Sequence, residues 1–323
     1  MERSKAAAKT LECSADHQTS NHLSLQESVP SIYVAGLIME YTKKWSQEER
    51  EVVKESCILV EKRTTVWYDG DGNKLMQYLP EFLSEELSQS MESELHRLIK
   101  VSPPTLPSGT RYKRCHEWRK SLPFDMPCGL YSYAIYPNQG HPNDCPHPSA
   151  DSAGKSVRST NAACILRLSP AMIELSTQLS LAFAAIDKPA WDMSRGMVMA
   201  AKEEYGVLAA MDRCETQCFV GIFVLVNVFT DEHFDDNDVP DGWAVMAVFG
   251  KFRGAPLYLP QLEIKVSHQR RDVIFLRSHV LQHLSEEFEI LENDGRYVLV
   301  FTNDARMFKY LSKHYRLVFC SSK

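Results

Sequence analysis

The C-terminal third of this chain carries a succession of short β-rich runs, and that pattern constrains the fold more than any other feature. The runs are Phe219–Phe229, Trp243–Phe249, Leu257–Leu259, Val273–Phe275, Tyr297–Phe301 and Tyr315–Phe319, each separated from the next by turn signals. Strands this short at such spacing fold as a β-sandwich or barrel, here about 100 residues long. The longest apolar run, Phe219–Phe229, is broken by Gly221 and Asn227. It falls short of the ~20 residues that a membrane span needs.

The preceding residues read differently. Residues 1–28 are polar and bury too little to order themselves, so a disordered tail is expected there, with structure beginning near Val29. Ser46-Gln47-Glu48-Glu49 reads as a capping box that starts a helix running to about Val60. Thr65–Tyr68 and Leu75–Tyr78 flank Asp69-Gly70-Asp71-Gly72-Asn73 as a β-hairpin. Leu87, Met91, Leu95 and Leu98 recur at helical spacing and predict a packed helix over 84–100. A stretch rich in Pro, Gly, Ser and Asn follows from Ser102 to Ser159, with one strand-like island at Leu130–Tyr136; it reads as a lid or edge. Helices are predicted from Pro170 to about Ile186 and over roughly 193–212.

A length of 323 residues allows roughly two domains at about 150 residues each. A β-roll of about 100 residues needs the helices before it as cover, so a single α+β domain over 29–323 is expected. In that reading 29–212 is mainly helical support and lid, and 213–323 is the β-roll core.

Charge and cysteine usage exclude whole classes. With 36 Lys and Arg against 42 Asp and Glu the net charge is −6, so no basic surplus exists to coat a polyanion. Nine cysteines, an odd number scattered singly, argue against a disulfide framework and for a reducing compartment, cytoplasmic or nuclear. No membrane partner is expected, and oligomeric state is not encoded in any visible pattern.

The strongest site signal is His233-Phe234-Asp235, just after the apolar run ending at Phe229. Residues two apart on extended backbone point the same way, so imidazole and carboxylate can chelate one ion. A second histidine would complete a facial triad with open positions, as in non-haem iron oxygenases; the candidates are His268, His279 and His283. His283 lies 50 residues after His233, where a returning strand can bring it back. Thirteen residues further on, Arg296 opens the Tyr297–Phe301 run, and an inward guanidinium there can clamp a carboxylate through two hydrogen bonds. The order of HxD, His and Arg at these spacings is that of a 2-oxoglutarate-dependent oxygenase.

From His233 to Asn303 the sequence resembles the fungal branch of the TET/JBP-like 2-oxoglutarate and iron(II) dioxygenases. The matching pieces are the block from His233 to Trp243, Gly250-Lys251-Phe252-Arg253-Gly254 leading to Leu257-Tyr258-Leu259-Pro260, Asp272 to Ser278, Leu281-Gln282-His283, and Gly295-Arg296-Tyr297. The resemblance covers about 70 to 100 of the 323 residues. It implies a double-stranded β-helix (jelly-roll or cupin-like) core supported by N-terminal helices. It also implies His233, Asp235 and His283 as iron ligands, Arg296 as the 2-oxoglutarate-binding arginine, and iron(II), 2-oxoglutarate and dioxygen as the reaction partners. Three positions depart from the family pattern: Ala255 replaces a glycine, Arg271 replaces a glycine, and Val298 stands where a serine often bonds the cosubstrate carboxylate.

Weaker patterns remain. His141, Cys145 and His147 have zinc-ligand chemistry, but prolines break their presentation and no fourth ligand lies near; Cys214 and Cys218 suit one helical face and read as packing or free thiols. Arg111 to Lys120 holds five basic residues interleaved with two aromatics. That segment reads as a solvated face, a pocket mouth, or a phosphate- and base-contacting patch. Taken with the acidic balance, the chain is expected to oxidise a small molecule, an amino acid or a secondary-metabolite intermediate. The alternatives are a nucleobase of the 5-methylcytosine type, and a non-catalytic β-roll binding module.

Overall fold

The computed structural model describes residues 31–33, 46–136, 145–153, 166–206, 215–292 and 294–315. The expected tail, His141, Cys214 and residues 316–319 lie outside them.

An eight-stranded sheet dominates, in the order Ser31–Tyr33, Thr65–Tyr68, Lys74–Leu79, Val273–Leu276, Ala244–Phe249, Tyr297–Thr302, Gly221–Val226 and Gly129–Tyr133. Every pairing in it is antiparallel except the first. The hairpin read from sequence is present, and its second strand docks on Val273–Leu276. Half of the strands therefore come from before the C-terminal third.

Alternation along each strand feeds two cores. In Ala244–Phe249 all six residues are buried. Val245, Ala247 and Phe249 join one cluster with the helices Glu85–Val101 and Pro170–Ile186, while Met246 and Val248 join another on the opposite face. That second cluster includes Leu257, Leu259, Ile264 and Val266 from a smaller four-stranded sheet of Leu284–Ser285, Leu257–Leu259, Ile264–Val266 and Ile58–Val60. Each fully buried large side chain in these layers, such as Phe249 or Phe275, contributes about 1.5–3 kcal/mol. The architecture is thus mixed α and β, with helices on one face of a large antiparallel sheet and a second sheet on the other.

The helices at 85–101 and 170–186 start where the sequence places them. Ser84 and Ser169 each accept a hydrogen bond from a backbone N–H three residues on, at 3.1 Å, satisfying donors that a helix start leaves orphaned. Two expectations are corrected. The first helix spans Gln47–Ser56 and stops short of Val60. Ile58-Leu59-Val60 is instead a strand pairing in parallel with Ile264–Val266, a long-range contact that helix propensity does not register. The helix expected from 193 begins at Lys188, because the Asp187 carboxylate caps Ala190 N–H at 3.1 Å and Pro189 suits the first turn; it ends at Glu204. The helix Ala305–His314 is capped by Asp304; of the expected run Tyr315–Phe319 only Tyr315, the C-cap of that helix, is among the described residues.

The Leu130–Tyr136 island divides in two. Gly129–Tyr133 forms the sheet edge beside Gly221–Val226, and Ile135–Tyr136 pairs with His147–Pro148. Within the stretch expected to be irregular, Lys113–Arg119 is a short helix whose Trp118 packs edge-on against Phe229 at 5.5 Å.

Candidate metal centre and buried arginine

The centre forms where the two sheets meet. Beyond Val226 the chain crosses toward the smaller sheet, and His233 pairs with His283 through reciprocal backbone hydrogen bonds of 3.1 and 3.0 Å. Their rings stand 4.2 Å apart between centroids. Asp235 is held by its own N–H donating to Ser278 O at 3.1 Å, and its two carboxylate oxygens lie 3.6 Å from His233 Nε2 and His283 Nε2 respectively. One ligand atom from each of the three residues falls within 4.8 Å of the others.

Both imidazoles are oriented for coordination. His233 Nδ1 donates to Asp231 O at 2.8 Å and His283 Nδ1 donates to Leu281 O at 3.0 Å. A carbonyl can only accept, so each ring carries a proton on Nδ1 and turns Nε2 to the site. Burial, reinforced by His283 and Arg111, pushes His233 down to about 3, so it stays neutral and ligand-competent. Burial alone would raise the Asp235 carboxyl, but the two imidazoles and Arg111 outweigh it and hold it below its usual range. Arg111 Nη1 donates to Asp235 Oδ1 at 3.3 Å.

Arg296 occupies the same cavity. It is 3% exposed, and its backbone is gripped by Asn227, whose Oδ1 accepts from Arg296 N–H at 2.8 Å and whose N–H donates to Arg296 O at 2.9 Å. Asn227 adopts a left-handed φ of 51°, a conformation asparagine tolerates better than most side chains. A methyl group on Gly250, at φ 91°, would run into the carbonyl oxygen of Gly295, so the turn before Arg296 closes only around a glycine. The guanidinium lies over the rings of Phe252 and Phe288 at 5.3 and 5.7 Å. Its polar contacts are thin: Nη1 to Val228 O at 3.5 Å, Nη2 to His268 Nδ1 at 3.3 Å, and none at Nε. Among the described residues no carboxylate offsets it, and burial alone lowers it to about 9.

A cavity of about 490 Å³ joins His233, Asp235 and His283 to Arg296 and His268, with Met246, Leu257 and Val298 among its apolar walls. That volume lies within the ~300–1,000 Å³ of small-ligand sites. Beyond the triad the wall turns polar. Asp238 accepts from Ser278 Oγ at 2.7 Å, and burial, with Asp235 and Asp304 adding to it, raises its carboxyl to about 8. The donor set fits a divalent cation with open coordination positions, and an uncompensated buried guanidinium fits an anion.

All four residues singled out from sequence converge here. Of the other histidine candidates, His268 sits beside Arg296 and His279 lies outside the triad with its Nδ1 buried and unpartnered. Cys145 contacts the hydroxyls of Tyr205 and Tyr310, and Cys218 is buried in the core. Asn227 and the reach of Arg111 to Asp235 went unseen; the break that Asn227 makes in an apolar strand was its only trace.

Part of the basic segment from Arg111 is paired within the chain. Arg114 pairs with Asp231 and, at 2.7 Å, with Glu286; Arg119 donates to the carbonyls of Pro123 and Phe124; Lys120 pairs with Glu117 at 2.6 Å. Among the described residues no helix is long and apolar enough to cross a membrane.

No protein-family model matches the chain, and no curated protein matches it. Solved structures do. NgTET1 in complex with 5mC DNA is 14% identical, with a TM-score of 0.53 over 87% of this chain and 89% of that one, which establishes a shared fold. A prolyl-4-hydroxylase of Pseudomonas putida (11% identity, TM-score 0.37, 70% and 91% covered) and OsALKBH1 (13%, 0.34, 70% and 97%) are more distant.

Proposed function

We propose that this chain is an iron(II)- and 2-oxoglutarate-dependent oxygenase of the TET/JBP-like type, with a double-stranded β-helix core and a small-molecule substrate. The observation that carries the reading is one cavity holding both a two-histidine, one-carboxylate cluster and a buried arginine that no described carboxylate offsets. The fold shared with NgTET1 supports it.

In this reading His233, Asp235 and His283 hold the iron and Arg296 holds the far carboxylate of 2-oxoglutarate. When bound, iron and 2-oxoglutarate supply the oxidising chemistry, consuming dioxygen and releasing succinate and carbon dioxide as the substrate is oxidised. The chain does the positioning. Asp231 O and Leu281 O fix the two imidazoles in the ligating tautomer. Phe252 and Phe288 shield the guanidinium from water, which strengthens its pull on a carboxylate. Asp238, Asp304 and Arg306 line the cavity's polar wall, where substrate heteroatoms would be oriented.

A small substrate is favoured over nucleic acid by the net charge of −6 and by the pairing of Arg114 with Asp231 and Glu286. Anaerobic iron(II) titration in the presence of 2-oxoglutarate tests the centre: a visible charge-transfer band is expected for the natural chain and none for His233→Ala. Absence of the band from the natural chain would end the proposal. Substrate-coupled succinate release rules out the non-catalytic alternative. Salt-dependent binding of 5-methylcytosine duplexes, tighter than that of unmodified duplexes, would shift the substrate to a nucleobase.

A further inference from the structure

We infer that Cys115 and Cys128 are an oxidisable dithiol: peroxide joins them in a disulfide, and the joined pair loosens the grip of Asn227 on Arg296. The consequence for 2-oxoglutarate rests on the function proposed above; the bond itself does not.

Cys115 lies on the short helix Lys113–Arg119, and Cys128 directly precedes the edge strand Gly129–Tyr133. Both are free thiols, and both reach one acceptor, the backbone carbonyl of Asn227. Cys128 Sγ–H donates to it at 3.1 Å and Cys115 Sγ–H at 4.0 Å, and the two thiols also hydrogen-bond to each other. Cys115 and Asn227 are fully buried, while Cys128 keeps 8% of its surface exposed. Two thiols in contact but unlinked are the reduced form of a transient, sensing disulfide in a reducing compartment. Asn227 is also the residue that aims Arg296. Its Oδ1 accepts from Arg296 N–H, its own N–H donates to Arg296 O, and its Nδ2 donates at 2.9 Å to the carbonyl of Pro127, next to Cys128.

Cys115 is the nucleophile of the pair. The hydrogen bond from Cys128, joined by one from Phe229 N–H and by the Arg114 charge, outweighs burial and lowers its thiol pKa. The same contact, with burial, raises that of Cys128. The Cys115 thiolate attacks one oxygen of hydrogen peroxide, the O–O bond breaks, and a sulfenic acid and water form. The Cys128 sulfur then displaces the sulfenic oxygen, which leaves as a second water while the S–S bond forms. The peroxide has gained two electrons and both thiol protons, and a dithiol reductant returns them. A disulfide carries no S–H, so the buried Asn227 carbonyl loses both donors, a costly state for a buried acceptor. Asn227 already sits at a left-handed φ of 51° that surrounding contacts impose. Removing two of those contacts lets the turn shift, and the side chain that aims Arg296 shifts with it.

The test treats the full reduced chain with hydrogen peroxide, blocks the remaining thiols and maps linked peptides by mass spectrometry. A Cys115–Cys128 link is expected, lighter by the two thiol hydrogens and reversed by dithiothreitol. In the oxidised chain, hydrogen exchange at the backbone amides of Asn227 and Arg296 should quicken. Calorimetry on the manganese(II)-loaded chain should show 2-oxoglutarate bound about 5- to 50-fold more weakly after oxidation, with recovery on reduction. Cys128→Ser keeps a hydroxyl donor for the Asn227 carbonyl but cannot form the bond. It should bind 2-oxoglutarate like the reduced natural chain, before and after peroxide. Absence of the link, a link that leaves exchange and affinity unchanged, or an equal peroxide effect on Cys128→Ser would overturn this inference alone. Failure of the reduced natural chain to bind 2-oxoglutarate would instead overturn the proposed function, and the link and the exchange at Asn227 would still decide the dithiol.

Discussion

The two ends of the cavity hold histidines in opposite tautomers. At the triad, backbone carbonyls take the Nδ1 protons of His233 and His283 and leave lone pairs facing inward. At the far end, Arg296 donates to Nδ1 of His268, which puts that ring's proton on Nε2. Which ring nitrogen is left to face other partners is thus decided by whichever neighbour claims Nδ1. The triad is saturated by its own backbone, whereas the arginine end is left short of acceptors.

Arg296→Met should break that contrast most sharply. Affinity for 2-oxoglutarate is expected to fall by 100-fold or more, while manganese(II) binding at the triad persists. The same change removes a buried charge that no carboxylate offsets, so thermal unfolding should shift upward, by an amount equivalent to about 1–4 kcal/mol. Loss of stability would show that the guanidinium is already compensated in the ligand-free chain. Arg296→Lys should not restore binding, since an ammonium lacks the planar fork.

Asn227→Ala is a smaller perturbation at the same end. It removes the side-chain acceptor for Arg296 N–H and the Nδ2 donor to Pro127 O, and it places alanine at φ 51°. A destabilisation of about 1–3 kcal/mol is expected in denaturant titration. Because Arg296 is aimed by that contact, 2-oxoglutarate should also weaken, with manganese(II) affinity again unchanged.

The smallest effect belongs to the outer flank of the same turn. His96 Nε2 meets Asp294 Oδ1 at 2.9 Å, and that hydrogen bond, against the opposing effect of partial burial, raises the His96 pKa. A histidine raised in the folded state contributes stability that is complete below its unfolded value near 6.5 and is lost as pH rises through the folded value. His96→Ala should flatten only this part of the stability–pH curve, and modestly, since the side chain is 52% exposed. A large change would mean that the flank, too, helps to place Arg296.

Much of this arrangement was legible in the order of residues. Short strands declare themselves by alternation and turn spacing, and the HxD, His and Arg order picks out four residues that the structure gathers around one cavity, with His283 rather than His268 or His279 beside His233 and Asp235. What stayed hidden was set by distant contacts. Ile58–Val60 reads as a helix tail until Ile264–Val266 pairs with it, and the start at Lys188 depends on the Asp187 cap. His268 was visible only as a metal-ligand candidate, because its tautomer depends on an arginine 28 residues away. The segment from Arg111 to Lys120 carries the charges of a nucleic-acid patch, yet Arg111 and Arg114 meet distant carboxylates that only folding supplies, while Lys120 pairs locally with Glu117.

The pairing of His233 with His283 has one more consequence. His233 leads out of the strand Gly221–Val226 of the large sheet, and His283 leads into Leu284–Ser285 of the small one. The triad is therefore a hinge pin through the joint between the two sheets. Sliding one layer against the other, by a substitution in the shared core or by a substrate wedged in the cavity, would alter the bite of the ligands before any strand came apart. Alignment of the centre is in that sense a gauge of how far apart the layers sit.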